Sequence, residues 1–358
     1  MMSERKKTTG KVGILGTGWV ATYHVQALRQ LGIEVSAVVG STVEKAETFA
    51  GEWKIPNFGA EAELLLAPEI TAVHICTPPH KHFEQIRLLL SHGKHIFCEK
   101  PLTLSASEAE ELAKLAQETD RICAVGFNIR SYRQCLKARK LVQEGMLGRL
   151  LLIHGNYLQE FGAEPAMWSW RYEDDLHAVT EIGSHWLDLA QYISGEKITA
   201  VSAVLDRFHP LRYRKDSLLY TEPQEGAEPV SVPSEDVALI HFRTETGAIG
   251  SVVLSELSHG HGNQLSLELT GDKATLAWNN EDPTVLTLSH KGQTETLKEE
   301  EESFEDTFLT EFREFYRAVR GEKACEGADF IAAYRNTLLC KAIQNSAEND
   351  SAWREVPL

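Results

Sequence analysis

Two different rhythms of apolar residues divide the chain. From Lys11 to about Phe127, short β-rich runs alternate with longer stretches of helical period: KVGILG (11–16), EVSAVVG (34–40), TAVHICT (71–77), KHIFCE (94–99) and RICAVGF (121–127). Between them, WVATYHVQALRQLG and SASEAEELAKLAQETD carry amphipathic patterns, and Ser105 with Glu108 three residues on opens the second as a capping box. Nearly continuous apolar strands separated by helices predict a parallel sheet covered on both faces, a doubly wound domain of dinucleotide-binding type.

Beyond a bridging helix at about 131–144 the rhythm changes. Strands at 148–159, 198–208, 236–243, 248–257, 263–271 and 273–279 follow one another across short turns such as TETG and GD. That order predicts a large, mostly antiparallel sheet with a helix at 180–193 packed on it. SFEDTFLTEFREFYRAVRG and ADFIAAYRNTLLCKAIQNSAEN read as two closing helices within about 304–345, and 209–234, rich in Pro, Arg, Glu and Ser, reads as a long loop. The expected fold is α/β, with a nucleotide domain at 1–127 and a second α/β domain at 128–358.

At 358 residues the chain exceeds what one hydrophobic core usually serves, in keeping with two domains. Its net charge of -16 would repel nucleic acid and anionic membrane surfaces, which leaves a small molecule as the expected partner. There is no apolar run of about 18 residues and no leader-like start, so a cytoplasmic location is expected. The six cysteines form no CxxC pair, and neither disulfides nor a metal site are expected.

Chemistry concentrates at strand ends. Gly16-Thr-Gly18-Trp19-Val20-Ala21 is a GxGxxA turn between the first strand and first helix. Gly16 permits a tight turn, Gly18 lets backbone N–H groups approach a pyrophosphate, and Ala21 permits close packing of the helix. The second strand ends in Gly40-Ser41-Thr42-Val-Glu-Lys45, with no carboxylate at its tip to grip the ribose of NAD. Ser41, Thr42 and Lys45 could hold a 2'-phosphate, a slight lean towards NADP, or Ser41 and Thr42 cap the next helix. CTPPHKH brings Thr77, Pro78 and His82 to the carboxyl end of the third long strand, where His82 either faces the cofactor or merely starts a helix. Glu99-Lys100-Pro101 ends another strand, and a cis proline there would turn the chain and aim Lys100 at the crevice; a surface lysine before a helix is the alternative. In EIGSHWLDLAQY, Glu181, His185, Asp188 and Tyr192 fall at spacings of four, three and four, on one helical face opposite Ile182, Trp186, Leu189 and Ile193. A metal on that face would need further ligands, and no other His or Cys cluster supplies them.

Taken in order, GILGTGWVATYH, CTPPHKH, CEKPL, VGFNIR and EIGSHWLDL resemble the Gfo/Idh/MocA oxidoreductases, the glucose-fructose oxidoreductase and inositol dehydrogenase family, over essentially the whole chain. The resemblance implies a Rossmann domain binding NAD or NADP, followed by an α/β domain whose open sheet makes dimers or tetramers. It implies that Lys100 hydrogen-bonds the substrate hydroxyl beside the nicotinamide, with Glu99 and Asn128 also on the cofactor side. It further implies that His185 is the general base or acid and that Asp188 orients it. Tyr192 stands where inositol dehydrogenases carry a catalytic histidine, which speaks against inositol. YLQEF and WSWRY are similar to segments of the family's sugar dehydrogenases, and Gln159, Trp170, Arg171 and Tyr192 become candidates for holding a pyranose, unless the tryptophans only anchor a loop. The implied activity is hydride transfer between the nicotinamide and a carbinol carbon of a cyclic sugar. A redox-neutral glycoside-cleaving enzyme working through a keto sugar, and a non-catalytic sensor, are the alternatives.

Overall fold

The structure, a computed structural model, describes residues 10–163, 165–173 and 176–357. The described residues form two compact units, one drawn from 10–132 with 303–337 and the other from 133–302 with 338–357.

Unit 1 begins with strands β1 (Lys11–Leu15), β2 (Val35–Val39), β3 (Asn57–Gly59), β4 (Ile70–Ile75), β5 (His95–Cys98) and β6 (Cys123–Val125). They form a parallel sheet in the order β3-β2-β1-β4-β5-β6. Helices α1 (Trp19–Gln30), α2 (Val43–Trp53), α3 (His82–Ser91) and α4 (Ala106–Gln117) connect the strands. The strand order reverses between β1 and β4, so their carboxyl ends open a crevice at that point, where Gly16 and Cys76 follow the two strands. Two apolar layers, one holding Val12, Ile14 and Val25 and the other Ile75, Leu89, Ile96 and Leu112, bury the sheet.

Unit 2 opens with α5 (Arg133–Gln143), β7 (Leu150–Leu158), β8 (Ala166–Met167), α6 (Ser184–Ser194) and β9 (Ile198–Asp206). Residues 209–234, expected to be a loop, instead supply β10 (Leu211–Lys215), β11 (Leu218–Tyr220) and β12 (Glu228–Ser231), which form a four-stranded sheet with β8. Their polar sequence hid them. Arg212 is fully buried there against Asp236 at 3.3 Å, an ion pair in place of an apolar core residue. The large sheet continues with β13 (Val237–Thr244), β14 (Ile249–Ser255), β15 (Gln264–Gly271), β16 (Thr275–Asn279), β17 (Val285–His290) and β18 (Gln293–Lys298). Its order is β18-β17-β16-β15-β7-β14-β13-β9, antiparallel except for β7 against β14. The indole of Trp186 pins α6 to it by donating to the Ser266 carbonyl at 2.8 Å, in space that only a glycine at 155 leaves open.

The chain then runs into α7 (Phe304–Val319), β19 (Ala328–Asp329), α8 (Phe330–Ala347) and β20 (Arg354–Glu355). Here the expected division is corrected. Phe308, Phe312, Phe315 and Tyr316 of α7 belong to the core of unit 1, and β19 pairs antiparallel with β6. Unit 2 resumes with the later part of α8 and with β20, which pairs with β9. The apolar face of α7 carries mostly aromatic residues, and the sequence does not say which core they enter. No helix among the described residues is long and apolar enough to cross a membrane.

Candidate active site

In unit 1 the glycine turn is built as a cradle. Gly16 has φ +113°, and a Cβ there would meet the Cys76 carbonyl oxygen at 2.6 Å, so no other residue fits without backbone movement. Around Gly18, by contrast, a Cβ would meet nothing within 4 Å. Gly18 caps α1 without a side chain, and no acidic residue stands in the first turn. The first N–H groups of α1 therefore face open space with a positive helix end behind them, which suits a pyrophosphate. Trp19 is 69% exposed beside this turn, and Val20 is half-buried.

At the tip of β2, Thr42 is engaged as a helix cap, its hydroxyl accepting from the Lys45 backbone N–H at 3.3 Å, while Ser41 and Lys45 are exposed. The capping alternative is the one the structure displays for Thr42. Glu44 beside it is held below the usual carboxylate range by its own backbone N–H and the Thr42 hydroxyl.

Past β4, the Thr77 hydroxyl donates to Gln85 at 2.6 Å and Pro78 starts the turn leading to α3. His82 is fully buried and bridges two loops. Its Nε2 lies 2.8 Å from the Thr77 carbonyl, and its Nδ1 lies 3.1 Å from each of the Pro101 and Leu102 carbonyls. Burial lowers its pKa, against three carbonyls that favour the charged ring. Its ring is thus a strut under the Lys100 loop. The Lys100–Pro101 peptide is cis, and Lys100 is half-buried at the end of β5. Glu99 Oε1 lies 2.9 Å from His24 Nε2. Asn128 is buried, and its amide donates to the Thr307 hydroxyl of α7 at 2.8 Å.

In unit 2, residues Val179–Gly183 wind as a π turn directly into α6. The regular spacing that put Glu181 on a face with His185, Asp188 and Tyr192 holds only from His185 onward, because the wider turn shifts the register before it. Glu181 accepts from Arg171 Nε at 2.7 Å. His185 is half-buried and Asp188 is 3% exposed. Tyr192 is buried with the Arg139 guanidinium over its ring at 4.0 Å. The Gln159 amide donates to Asn263. The side chain of Trp170 lies outside the described residues. Its neighbour Trp168 stacks on Tyr172 and has the Arg214 guanidinium over its face at 5.0 Å.

Two buried groups that sequence reasoning did not single out flank the π turn. Glu235 accepts from the backbone N–H groups of His177 at 3.0 Å and Val179 at 2.7 Å. Burial pushes its carboxyl up to about 7, although both backbone N–H groups favour the charged form. Burial pushes the His177 imidazole down to about 4. A carboxylate directly before Asp236 in SEDVALI gave no signal of a turn at Val179, 56 residues earlier. Among the described residues, no group of three His, Cys, Asp or Glu side chains is gathered as a metal would require.

The chain has relatives along its whole length. Residues 10–127 match the model of an oxidoreductase family with an NAD-binding Rossmann fold, and residues 135–277 match the GFO/IDH/MocA C-terminal domain. A levoglucosan dehydrogenase of Pseudarthrobacter phenanthrenivorans is 27% identical over 97% of this chain and 98% of its own. A scyllo-inositol 2-dehydrogenase (NAD(+)) of Bacillus subtilis is 28% identical over 87% of each. A solved levoglucosan dehydrogenase, in complex with NADH and L-sorbose, superposes with a TM-score of 0.87 at 25% identity, covering 97% of this chain and 98% of that one. From its glycine cradle to its C-terminal sheet, the chain belongs to the Gfo/Idh/MocA family of oxidoreductases, with an NAD-binding Rossmann fold.

Proposed function

We propose that the chain is an NAD-dependent dehydrogenase acting on a secondary hydroxyl of a cyclic sugar, with anhydropyranoses as the leading substrate class. The observation that supports this reading most is the end-to-end likeness to levoglucosan dehydrogenase, joined to the presence of Lys100, His185 and Asp188 in one sequence. Simple binding does not need a proton-transfer set, so their presence together favours an enzyme over a sensor. NAD is preferred to NADP because Thr42, half of the hydroxyl pair that favoured a 2'-phosphate, is engaged in capping α2, and because the solved relative holds NADH.

Gly16, Gly18 and the first turn of α1 would hold the pyrophosphate, with Ser41 at the ribose end and Thr77 and Pro78 towards the nicotinamide. When bound, the cofactor supplies the hydride acceptor or donor. Proton handling falls to the chain. As the hydride leaves, the hydroxyl proton must also leave for a ketone to form; His185 takes it, and imidazoles as a class exchange protons near neutral pH. Asp188 holds His185 in place, and the Lys100 ammonium stabilises the developing alkoxide. Arg171, oriented by Glu181, and Gln159, oriented by Asn263, present donors to sugar hydroxyls.

We also propose that the outer face of the large sheet joins copies of this chain. Val204, Leu239 and Val253 are direct cross-strand neighbours on β9, β13 and β14, and are exposed by 50%, 44% and 40%. Ile249 on β14 is 57% exposed. Apolar side chains aligned across three strands form a patch that soluble monomers seldom display.

The experiment is a pair of variants. Lys100→Ala and His185→Asn should each lower kcat by about a hundredfold or more, while NAD binding, read from tryptophan fluorescence, stays within a few-fold of wild type. Turnover close to wild type in either variant would remove that residue from the reaction.

A further inference from the structure

The mechanism leaves unused a line of titratable side chains inside unit 1. Glu99 Oε1 lies 2.9 Å from His24 Nε2; His24 Nδ1 lies 2.9 Å from His74 Nδ1; and His74 Nε2 lies 2.9 Å from the Tyr316 hydroxyl. Both histidines are fully buried, Tyr316 is 1% exposed, and only Glu99, with 14% of its side chain exposed, reaches the surface. Phe97 and Phe312 pack against both imidazoles, with Phe308 against His24 and Phe315 against His74 and Tyr316. Among the described residues, Cys76 also faces the line, its Sγ lying 3.4 Å from His24 Nδ1.

Each of the three links needs one proton, and only two arrangements of neutral imidazoles supply them. In the first, Tyr316 donates to His74 Nε2, His74 Nδ1–H donates to His24 Nδ1, and His24 Nε2–H donates to an ionised Glu99. In the second, every donation is reversed and Glu99 carries a proton. The surroundings choose the first. Reversal would turn the Tyr316 O–H away from His74 towards apolar rings, leaving a buried donor without an acceptor. It would also set His24 Nδ1–H against Cys76, whose thiol burial pushes strongly up and so keeps as S–H. His74, held well below the usual histidine range by burial and by the neighbouring His24, stays neutral in either case. With Tyr316 closed off from solvent, the line has no outlet and cannot carry protons away. Its effect is on position.

The carboxylate it holds lies where a Cβ on Gly126 would come within 2.8 Å of Oε1, across the end of β6. On the far side of Lys100, His82 holds the Pro101 and Leu102 carbonyls. Lys100 is therefore anchored from both directions by buried imidazoles. We propose that Tyr316, His74 and His24 are positioning residues, an ordered relay donating towards Glu99 that fixes this carboxylate and, through it, the placement of Lys100. The kinetic half of the proposal rests on Lys100 acting at the reacting hydroxyl; the proton arrangement does not.

Nitrogen-15 NMR of histidine-labelled protein, assigned with His24→Gln and His74→Gln, reads the relay directly. The expected result is an Nε2–H tautomer for His24 and an Nδ1–H tautomer for His74. Reversed tautomers, or a doubly protonated ring, would overturn the relay. Tyr316→Phe, which keeps the packing, should release both tautomers into mixtures and lower kcat about fivefold with the sugar KM unchanged; preserved tautomers with wild-type kcat would remove Tyr316 from it. Gly126→Ala, whose Cβ would strike Glu99 Oε1, should lower kcat in the same way; an unchanged kcat would overturn the link from Glu99 to Lys100. If Lys100→Ala itself retained wild-type turnover, the catalytic reading would fail while the tautomers still decided the relay.

Discussion

At the scale of single residues, the two glycines of the first turn do different work, and the structure separates them. A Cβ at Gly16 would strike the Cys76 carbonyl and force a left-handed backbone on a residue that avoids it. Gly16→Ala should therefore lose about 1–3 kcal/mol of stability. A Cβ at Gly18 meets only open space, so Gly18→Ala should melt like wild type and yet bind NAD at least about tenfold more weakly, because the methyl enters the room left for a pyrophosphate. Thermal melts with calorimetric NAD titration check both, and wild-type NAD affinity in Gly18→Ala would contradict the cradle. These glycines and Lys100 were legible because their meaning is local: a strand end followed by a fixed short pattern. His82 was visible as a residue but not as a strut, since its partners at Pro101 and Leu102 come from another loop. Tyr316 was further out of reach, 242 residues from His74.

At the scale of an element, the π turn leading into α6 is flanked by two buried groups whose pH dependences oppose each other. Glu235 has a pKa of about 7 in the fold against an ordinary 4.5, so the folded chain holds its proton more tightly. Stability from this group falls as pH rises from about 4.5 to about 7. His177, at about 4 against an ordinary 6.5, holds its proton less tightly when folded. Stability from it is complete above about 6.5 and is lost as pH falls towards about 4. Each amounts to about 3 kcal/mol, so wild type should change little across the overlap. His177→Gln removes one slope: its Tm should climb as pH is lowered from about 7 to about 5, and Glu235→Gln should show the reverse. Melting curves across that range decide it, and a flat profile in both variants would contradict the burial argument. The helix itself was readable from its apolar face, but its π turn was not, because a shift of register leaves no mark in residue type. The β17–β18 hairpin was passed over although VLTLSH and QTETLK alternate about a Lys291-Gly292 turn with positive φ at both residues. Its strands are short and the second is almost wholly exposed, so the apolar signal was faint.

At the scale of the whole molecule, the order of elements made the fold class legible, while the division of the chain did not follow sequence order. Helix α7 returns to the first unit through Phe308, Phe312 and Phe315, a contact that no local pattern specifies. The exposed row Val204, Leu239 and Val253 leads to an expectation about assembly: light scattering should give a dimer or tetramer, and Leu239→Lys should shift it towards monomer. A monomeric wild type would leave that face without the proposed role. The central claim, that the chain oxidises a cyclic sugar at the expense of NAD, is tested most directly by following reduced nicotinamide in absorbance while NAD is mixed with levoglucosan and related pyranoses. One reduced cofactor should form for each sugar converted to its ketone. Sugar or glycoside turnover without net reduced cofactor, or bound NAD with no chemistry on any cyclic sugar, would contradict it.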